Sequence, residues 1–167
     1  MTHNSWAAVF ESILQILCDK ALCVYGDRLV SAVAFGSVGR VTMRPDSDID
    51  MLFVLERLPK GRLKRMAEFQ VLERMMDPVL QEARAQGVRT MLSPVLKTPE
   101  EVRLGSPLFL DMVEDARILY DRDGFFRQQM DLLRQRLAHL GARRIWKGNA
   151  WYWDLKPDYR CGEEFEL

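Results

Sequence analysis

Residues 29–55 read LVSAVAFGSVGRVTMRPDSDIDMLFVL, and this stretch decides the fold. Its first part, residues 29–35, is short, partly β-branched and almost wholly apolar, which predicts a strand covered on both faces. Its last part, residues 48–55, predicts a second apolar strand that opens with two carboxylates, Asp48 and Asp50. The stretch therefore predicts two buried strands joined by a polar connection, whose residues are candidates for ligand binding.

The connection begins with Gly36-Ser37, directly after the first strand. Glycine lets a backbone turn sharply and approach a ligand closely. If a short helix begins at about Ser37 and runs to Arg40, its free amide groups face an anion, and Arg40 and Arg44 add positive charge. We expect a phosphate-binding turn here, with Ser47 as a further candidate for nucleotide contact.

The carboxylate pair is the second chemical feature of the stretch. Because strand side chains alternate, Asp48 and Asp50 point to one face while Ile49 and Met51 point to the other. Two neighbouring carboxylates repel each other, and a divalent cation removes that conflict. Mg²⁺ typically takes one or two protein carboxylates and completes its shell with phosphate oxygens and water. A Gly-Ser turn is usually only a turn and an Asp-x-Asp only a strand end, but together they predict a nucleotide site.

Composition limits the partners that the chain can have. Lysine plus arginine and aspartate plus glutamate both count 24, so no net charge draws the protein to nucleic acid or to an anionic membrane. We find no secretory leader and no apolar run of roughly 20 residues, the length that crosses a bilayer. The three cysteines include no Cys-x-x-Cys pair, which argues against a zinc site or a disulfide framework. We expect a cytoplasmic protein without membrane or nucleic-acid binding.

The remaining chain alternates helices and strands, which predicts a single α/β domain over residues 1–167. Helices are expected over residues 6–24, 62–86, about 106–119 and 123–140, and a third strand over residues 88–96. Asn4 or Ser5 can cap the first helix, and Gly26 can end it. Pro78 should kink or split the second helix, with Asp77 capping its second piece. The core is expected over about residues 5–97, with a helical and tail extension over about 98–167.

Two local signals stand out in that extension. Thr98-Pro99-Glu100-Glu101 is a capping box with proline at the first helical position. Gly148-Asn149 predicts a hairpin turn, and it is flanked by large aromatic residues, namely Trp146, Trp151, Tyr152 and Trp153. Such a cluster is costly to leave in water, so we expect it to bury against this domain or against another chain in a homo- or hetero-oligomer.

The spacing in residues 36–50 resembles a known signature. Gly36-Ser37, ten residues and then Asp48-Ile49-Asp50 is similar to the Gly-Ser-x10-Asp-x-Asp motif of the DNA polymerase β-like nucleotidyltransferase superfamily. The stretch AFGSVGRVTMRPDSDIDMLFVL looks like its minimal nucleotidyltransferase (MNT) branch. The resemblance implies a small mixed sheet flanked by helices, an α/β (α+β) fold.

The same resemblance implies roles for the residues of the motif. ATP would be the substrate, with Gly36 and Ser37 on the triphosphate and Asp48 and Asp50 as catalytic ligands of two Mg²⁺ ions. The predicted third strand departs from the family pattern, since active relatives usually carry a third carboxylate there and residues 88–95 contain no acid. Either another acid enters the site, or the site works with two carboxylates, or it binds nucleotide without efficient transfer.

Three functions remain open at this stage. Small MNT proteins commonly pair with HEPN-type ribonuclease toxins and neutralise them by moving AMP from ATP onto a tyrosine, so this chain would be such an antitoxin. A degenerate member would instead act by contact alone. An aminoglycoside-type adenylyltransferase is a third reading, although such relatives normally add a sizeable helical domain and only about 65 residues follow Pro99 here.

Overall fold

The structure, a computed structural model, describes residues 3–148 and 150–164, with side chains from residue 6 onward. Its centre is a four-stranded mixed sheet in the order β3-β2-β1-β4. The strands are β1 Leu29–Phe35, β2 Ile49–Leu55, β3 Leu92–Lys97 and β4 Arg117–Asp121. β2 pairs in parallel with β3, whereas β1 is antiparallel to both β2 and β4. The predicted α/β class with a small mixed sheet is confirmed.

Helices cover both faces of this sheet. They are α1 His3–Tyr25, α2 Gly36–Gly39, α3 Arg62–Ala85, α4 Pro99–Arg103, α5 Phe109–Met112 and α6 Phe125–His139. Residues of α1 and α3 pack on one face, and residues of α4, α5 and α6 pack on the other. Strand alternation divides β2 between these layers, because Met51 and Phe53 join the first cluster while Leu52 joins the second. The side chain of Asp50 therefore lies on the face of the sheet that α4, α5 and α6 cover.

The first elements follow the sequence pattern closely. β1 has the predicted bounds, and all seven of its residues are buried. α1 ends at Tyr25, and Gly26 follows with a φ of +52°, as expected for a helix stop. The predicted caps at Asn4 or Ser5 are wrong, because the helix already includes His3 and both residues lie inside it.

The predicted split of α3 at Pro78 is also wrong, and the alternative, a kink there, stays a prediction. The helix runs through Pro78 without interruption, so Asp77 caps nothing. Buried side chains on both sides of the proline, Phe69, Leu72, Met76 and Ala83, pack in one cluster with α1. This packing outweighs the roughly 3 kcal/mol that proline costs inside a helix.

β3 is shorter than predicted and begins at Leu92. The residues before it form a connection that is held to the β1–β2 loop. The amide of Arg89 donates to the carbonyl of Pro45 at 2.6 Å, and the amide of Ile49 donates to that of Met91 at 2.8 Å. These two hydrogen bonds thus hold residues 89–91 against the loop before β2 and against the first residue of β2.

The helix expected at residues 106–119 is wrong over most of its length. α5 is a single turn, and β4 follows it as an edge strand of the sheet. A short apolar run has no decisive periodicity, and here pairing with β1 determines the outcome. β4 therefore joins the sheet from the part of the chain that was assigned to the helical extension.

The C-terminal part contains a two-stranded hairpin, β5 Arg143–Lys147 and β6 Ala150–Asp154. Its turn contains Gly148, with a φ of +64°, while Asn149 lies outside the described residues. The predicted hairpin and the Thr98–Glu101 capping box are both confirmed. Among the described residues, all three cysteines are free, and no helix is both long and apolar enough to span a bilayer.

Candidate active site

Gly36 and Asp50 lie against each other at the point where β1 ends. Phe35 is the partner of Asp50 across the β1–β2 ladder, so the next residue, Gly36, turns over the Asp50 side chain. A Cβ atom at Gly36 would lie 2.3 Å from Oδ2 of Asp50, and its φ of +65° is in the left-handed region. Only glycine combines this conformation with this approach. The role predicted for Gly36, close approach of the backbone to a bound phosphate, stays a prediction.

The turn continues into α2, so the short helix on which the expected anion site depends is present. α2 is one turn long, so its dipole is small, and an anion here would depend on the backbone amides, the Ser37 hydroxyl and Arg40. The Ser37 carbonyl accepts from the amide of Thr42 at 2.9 Å, which curls the chain back after the helix. Gly39 is also confined, since a Cβ there would lie 2.7 Å from the carbonyl oxygen of Asp115.

Ser47 has a local structural role. Its hydroxyl accepts from the amide of Arg44 at 2.9 Å, and its own amide donates to the Arg44 carbonyl at 3.0 Å. These bonds close a tight turn just before Asp48. Ser47 thereby shapes the approach to the carboxylates, and its predicted contact with nucleotide stays a prediction.

The two carboxylates stand at the beginning of β2, where Asp48 is exposed and Asp50 is half-buried. Neither has a hydrogen-bond or ion-pair partner within residues 3–148 and 150–164. β2 begins at Ile49, one residue later than predicted, so Asp50 lies in the strand and Asp48 directly before it. Carboxylate oxygens are hard ligands that suit Mg²⁺, and the predicted alignment of both side chains on one face stays a prediction. Across the same residues, no group of three or more Asp, Glu, His or Cys side chains is arranged to hold a metal ion.

The third strand supplies no acid to this site, as the sequence predicted. Ser93 of β3 is the register partner of Asp50, so β3 presents an uncharged side chain beside that carboxylate. Ser93 is exposed at the edge of the sheet. A serine hydroxyl carries no charge, so β3 cannot replace the missing group.

Asp111 is an acidic residue of this site that the sequence did not single out. It lies on α5, half-buried, with Arg40 and Asp50 close enough to act on its charge. Burial raises the pKa of Asp111, the positive charge of Arg40 lowers it, and the negative charges of Asp50 and Asp115 raise it further. Asp111 lies between Phe109 and Met112, two apolar residues that are buried, so a carboxylate held near the core could have been noticed there. The helix predicted over residues 106–119 did not place it beside the site.

The C-terminal hairpin is fastened beside this group. Arg144 of β5 donates to Oδ2 of Asp115 at 2.6 Å, and its guanidinium lies 5.1 and 5.2 Å from the rings of Trp146 and Trp151. Trp153 of β6 donates from its indole nitrogen to the carbonyl of Leu110 at 3.1 Å. The aromatic tail is thus partly packed on its own domain.

Other aromatic side chains of the tail remain accessible. Trp146 and Tyr152 are 54% and 53% exposed, which leaves apolar surface on the hairpin. The predicted oligomer through this tail therefore stays a prediction.

Sequence comparison identifies the class of protein. The family model described as nucleotidyltransferase domain matches residues 11–103, more than half of the chain and the whole of the Gly36–Asp50 site. The chain belongs to this family and is a nucleotidyltransferase, which confirms the resemblance seen in the motif.

A curated relative and two solved structures are similar to the chain. The "Putative protein adenylyltransferase MJ1305" of Methanocaldococcus jannaschii is 32% identical over 128 residues, covering 75% of this chain and 82% of the relative. A toxin–antitoxin crystal structure with AMP-PNP is 17% identical, covers 76% of this chain and 92% of that chain, and has a TM-score of 0.44. The tri-AMPylated Shewanella oneidensis HEPN toxin in complex with MNT antitoxin is 15% identical, with coverages of 77% and 92% and a TM-score of 0.39. The family assignment depends on the two sequence matches alone.

Proposed function

We propose that this nucleotidyltransferase moves AMP from ATP onto a hydroxyl group of a protein acceptor, in a reaction that depends on Mg²⁺. The contact between Gly36 and Asp50 carries the proposal, because it joins a turn that can take phosphate to a carboxylate that can take a cation. The M. jannaschii relative, whose name is that of a protein adenylyltransferase, supports adenylyl transfer and a protein acceptor. We further propose a HEPN-type toxin as the acceptor, on the strength of the resemblance to the MNT branch.

In this proposal each site residue has a defined task. Asp48 and Asp50 hold Mg²⁺, which would neutralise charge on the triphosphate. Gly36 gives the backbone its close approach, and Ser37 and Arg40 bind phosphate oxygens. Ser47 keeps the loop in the shape that brings the carboxylates to the turn.

The test uses ATP labelled separately on its α- and γ-phosphates, with the chain and a purified HEPN-type protein. We expect Mg²⁺-dependent labelling of the acceptor from the α-label and none from the γ-label. Asp48→Asn and Asp50→Asn should each reduce labelling by roughly 100-fold or more, since they remove charge stabilisation from the reacting phosphate. Asp46→Asn is the matched control, because Asp46 is an exposed acid of the same loop.

Two results would count against the proposal. Labelling from the γ-phosphate would make the reaction phosphoryl transfer. If the wild-type chain labelled no HEPN protein, the proposal that a HEPN-type toxin is the acceptor would be rejected.

One observation favours a second candidate, an antitoxin that acts by contact only. Ser93 is the register partner of Asp50, so β3 presents an uncharged side chain there. A contact-only protein would keep its protective effect against the toxin after both Asp48 and Asp50 are replaced. A transferase would lose it.

A further inference from the structure

The residues assigned so far to phosphate and cation leave no group that can take the proton of the attacking hydroxyl. Asp48 and Asp50 are assigned to the cation, and Ser93 cannot serve at neutral pH because a serine hydroxyl is itself protonated. General acid–base catalysis typically contributes 10²- to 10⁴-fold to a rate, so an active enzyme gains from a carboxylate at this place. Any such group must come from an element other than β3.

α5 brings Asp111 to the same side of the sheet. Its neighbours Phe109 and Met112 are buried in the cluster that contains Phe35 and Leu52. Phe35 directly precedes Gly36, and Leu52 lies two residues after Asp50 on the same face of β2. The apolar contacts that seat α5 therefore lie next to both halves of the nucleotide site.

The backbone around Asp111 is held on both sides. Before it, the carbonyl of Leu110 accepts from the Trp153 indole at 3.1 Å. After it, the carboxylate of Asp115 binds Arg144 at 2.6 Å, in a pair whose side chains are 17% and 19% exposed. The Asp115 carbonyl also confines Gly39 of α2. These anchors fix Asp111 relative to the phosphate turn.

Asp111 is close to the site without being part of its cation-binding pair. The charges of Arg40 and Asp50 act on it, yet no three acidic side chains of the described residues converge as ligands of one ion. Asp111 also lies beyond residue 103, where the match to the family domain ends.

We infer that Asp111 is the proton acceptor for the incoming acceptor hydroxyl, supplied by α5 in place of β3. The inference rests on the proposed function. The hydroxyl oxygen bonds to the α-phosphorus of ATP, the bond from that phosphorus to the bridging oxygen breaks, pyrophosphate leaves, and the hydroxyl proton passes to the Asp111 carboxylate. Asp111 is half-buried on α5, next to the elements that carry the turn and Asp50, so its carboxylate can act as a general base there.

The test compares Asp111→Asn with wild type in two measurements. In transfer of the α-label to the HEPN protein, we expect kcat to fall by roughly 100-fold or more at an almost unchanged KM for ATP. In equilibrium binding of Mn²⁺ with AMP-PNP, a non-transferable analogue, we expect the same affinity for both proteins. Asp111→Glu keeps the carboxylate and should recover part of the rate. Glu114→Gln, an exposed acid of the same segment, should behave as wild type in both measurements.

Each other outcome overturns a defined part of the scheme. Equal transfer by wild type and Asp111→Asn defeats the role of Asp111 and leaves the proposed function standing. Weakened Mn²⁺–nucleotide binding in Asp111→Asn makes the residue a ligand, and so also defeats that role. A wild-type chain that binds nucleotide and transfers to no acceptor defeats the proposed function, and the role of Asp111 with it. If Asp111→Glu folds but is as inactive as Asp111→Asn, a carboxylate on this residue does not restore the reaction, and the role of Asp111 as proton acceptor is defeated.

Discussion

A methyl group on Gly36 would lie 2.3 Å from carboxylate oxygen Oδ2 of Asp50. Real Cβ atoms do not come so close to another heavy atom, so the two residues occupy a space that only glycine permits. The relationship couples the turn after β1 to the beginning of β2, two places that are neighbours through the β1–β2 ladder.

Gly36→Ala should therefore abolish nucleotide binding by displacing Asp50. The control is Gly26→Ala, because Gly26 also has a positive φ, +52°, but nothing lies within 4 Å of its added Cβ. Both variants should lose about 1 kcal/mol of stability to backbone strain, and Gly36→Ala should lose more through the clash. Calorimetric titration with Mg²⁺ and AMP-PNP, together with urea unfolding, measures both effects. Equal nucleotide affinity in the two variants would contradict the assignment of this turn.

Replacing Asp50 by asparagine should separate ligand binding from folding. Without Mg²⁺ the thermal midpoint of Asp50→Asn should equal or exceed that of wild type, because the change removes a negative charge near Asp111. With Mg²⁺ and AMP-PNP at about 100 times the dissociation constant, wild type should gain about 2.7 kcal/mol and Asp50→Asn should gain little. Asp46→Asn should gain as much as wild type, and a similar gain in Asp50→Asn would argue against its role as a cation ligand.

The pair Arg65–Glu101 should make stability depend on acid pH. Glu101 accepts from Arg65 at 2.7 and 2.9 Å, and Arg65 also donates to the Pro59 carbonyl at 2.8 Å. The hydrogen bond from Arg65 lowers the pKa of Glu101 below its ordinary value of 4.5. Because the folded-state pKa is depressed, this stabilisation is fully present above about pH 4.5 and is lost as the pH falls through the folded-state value.

Glu101→Gln should accordingly cost about 1 kcal/mol at pH 7, a figure kept small because the Glu101 side chain is 34% exposed. The difference from wild type should shrink as the pH falls below 4.5, in urea unfolding followed by circular dichroism. Glu73→Gln, at an exposed position of α3, should show no such change. A difference that persists undiminished at low pH would show that ionisation of Glu101 is not its source.

Arg144 should stabilise the protein far more than its neighbour Arg143. Arg144 pairs with Asp115 and lies over the rings of Trp146 and Trp151, whereas Arg143 is exposed. Arg144→Ala should cost about 2 kcal/mol, mostly because Asp115 is left half-buried without its partner, and Arg143→Ala should cost less than about 0.5 kcal/mol. A double-mutant cycle with Asp115→Ala measures the coupling, and equal losses from Arg143 and Arg144 would exclude an anchoring role.

The local signals of the sequence predicted much of this protein. β1, α2, the Thr98–Glu101 capping box and the C-terminal hairpin depend on the conformational preferences of a few consecutive residues, which act in the same way in any fold. The closeness of Gly36 and Asp50 belongs here too, because one short connection joins the two strands that carry them, while their roles in binding stay a prediction.

Tertiary structure alone decided the rest. The segment after α5 became β4 because β1 offered it a partner edge, and α3 continued through Pro78 because packing against α1 outweighed the lost hydrogen bond. Asp111 lies near enough to Asp50 to be affected by its charge. It does so because Phe109 and Met112 pack in a core whose other residues come from distant parts of the chain. Local preferences amount to about 1 kcal/mol per residue, whereas burial of a large apolar side chain contributes roughly 1.5–3 kcal/mol. Where local preferences and burial conflict, the long-range contacts determine the structure. Those contacts join distant residues, so no short stretch of sequence predicts them.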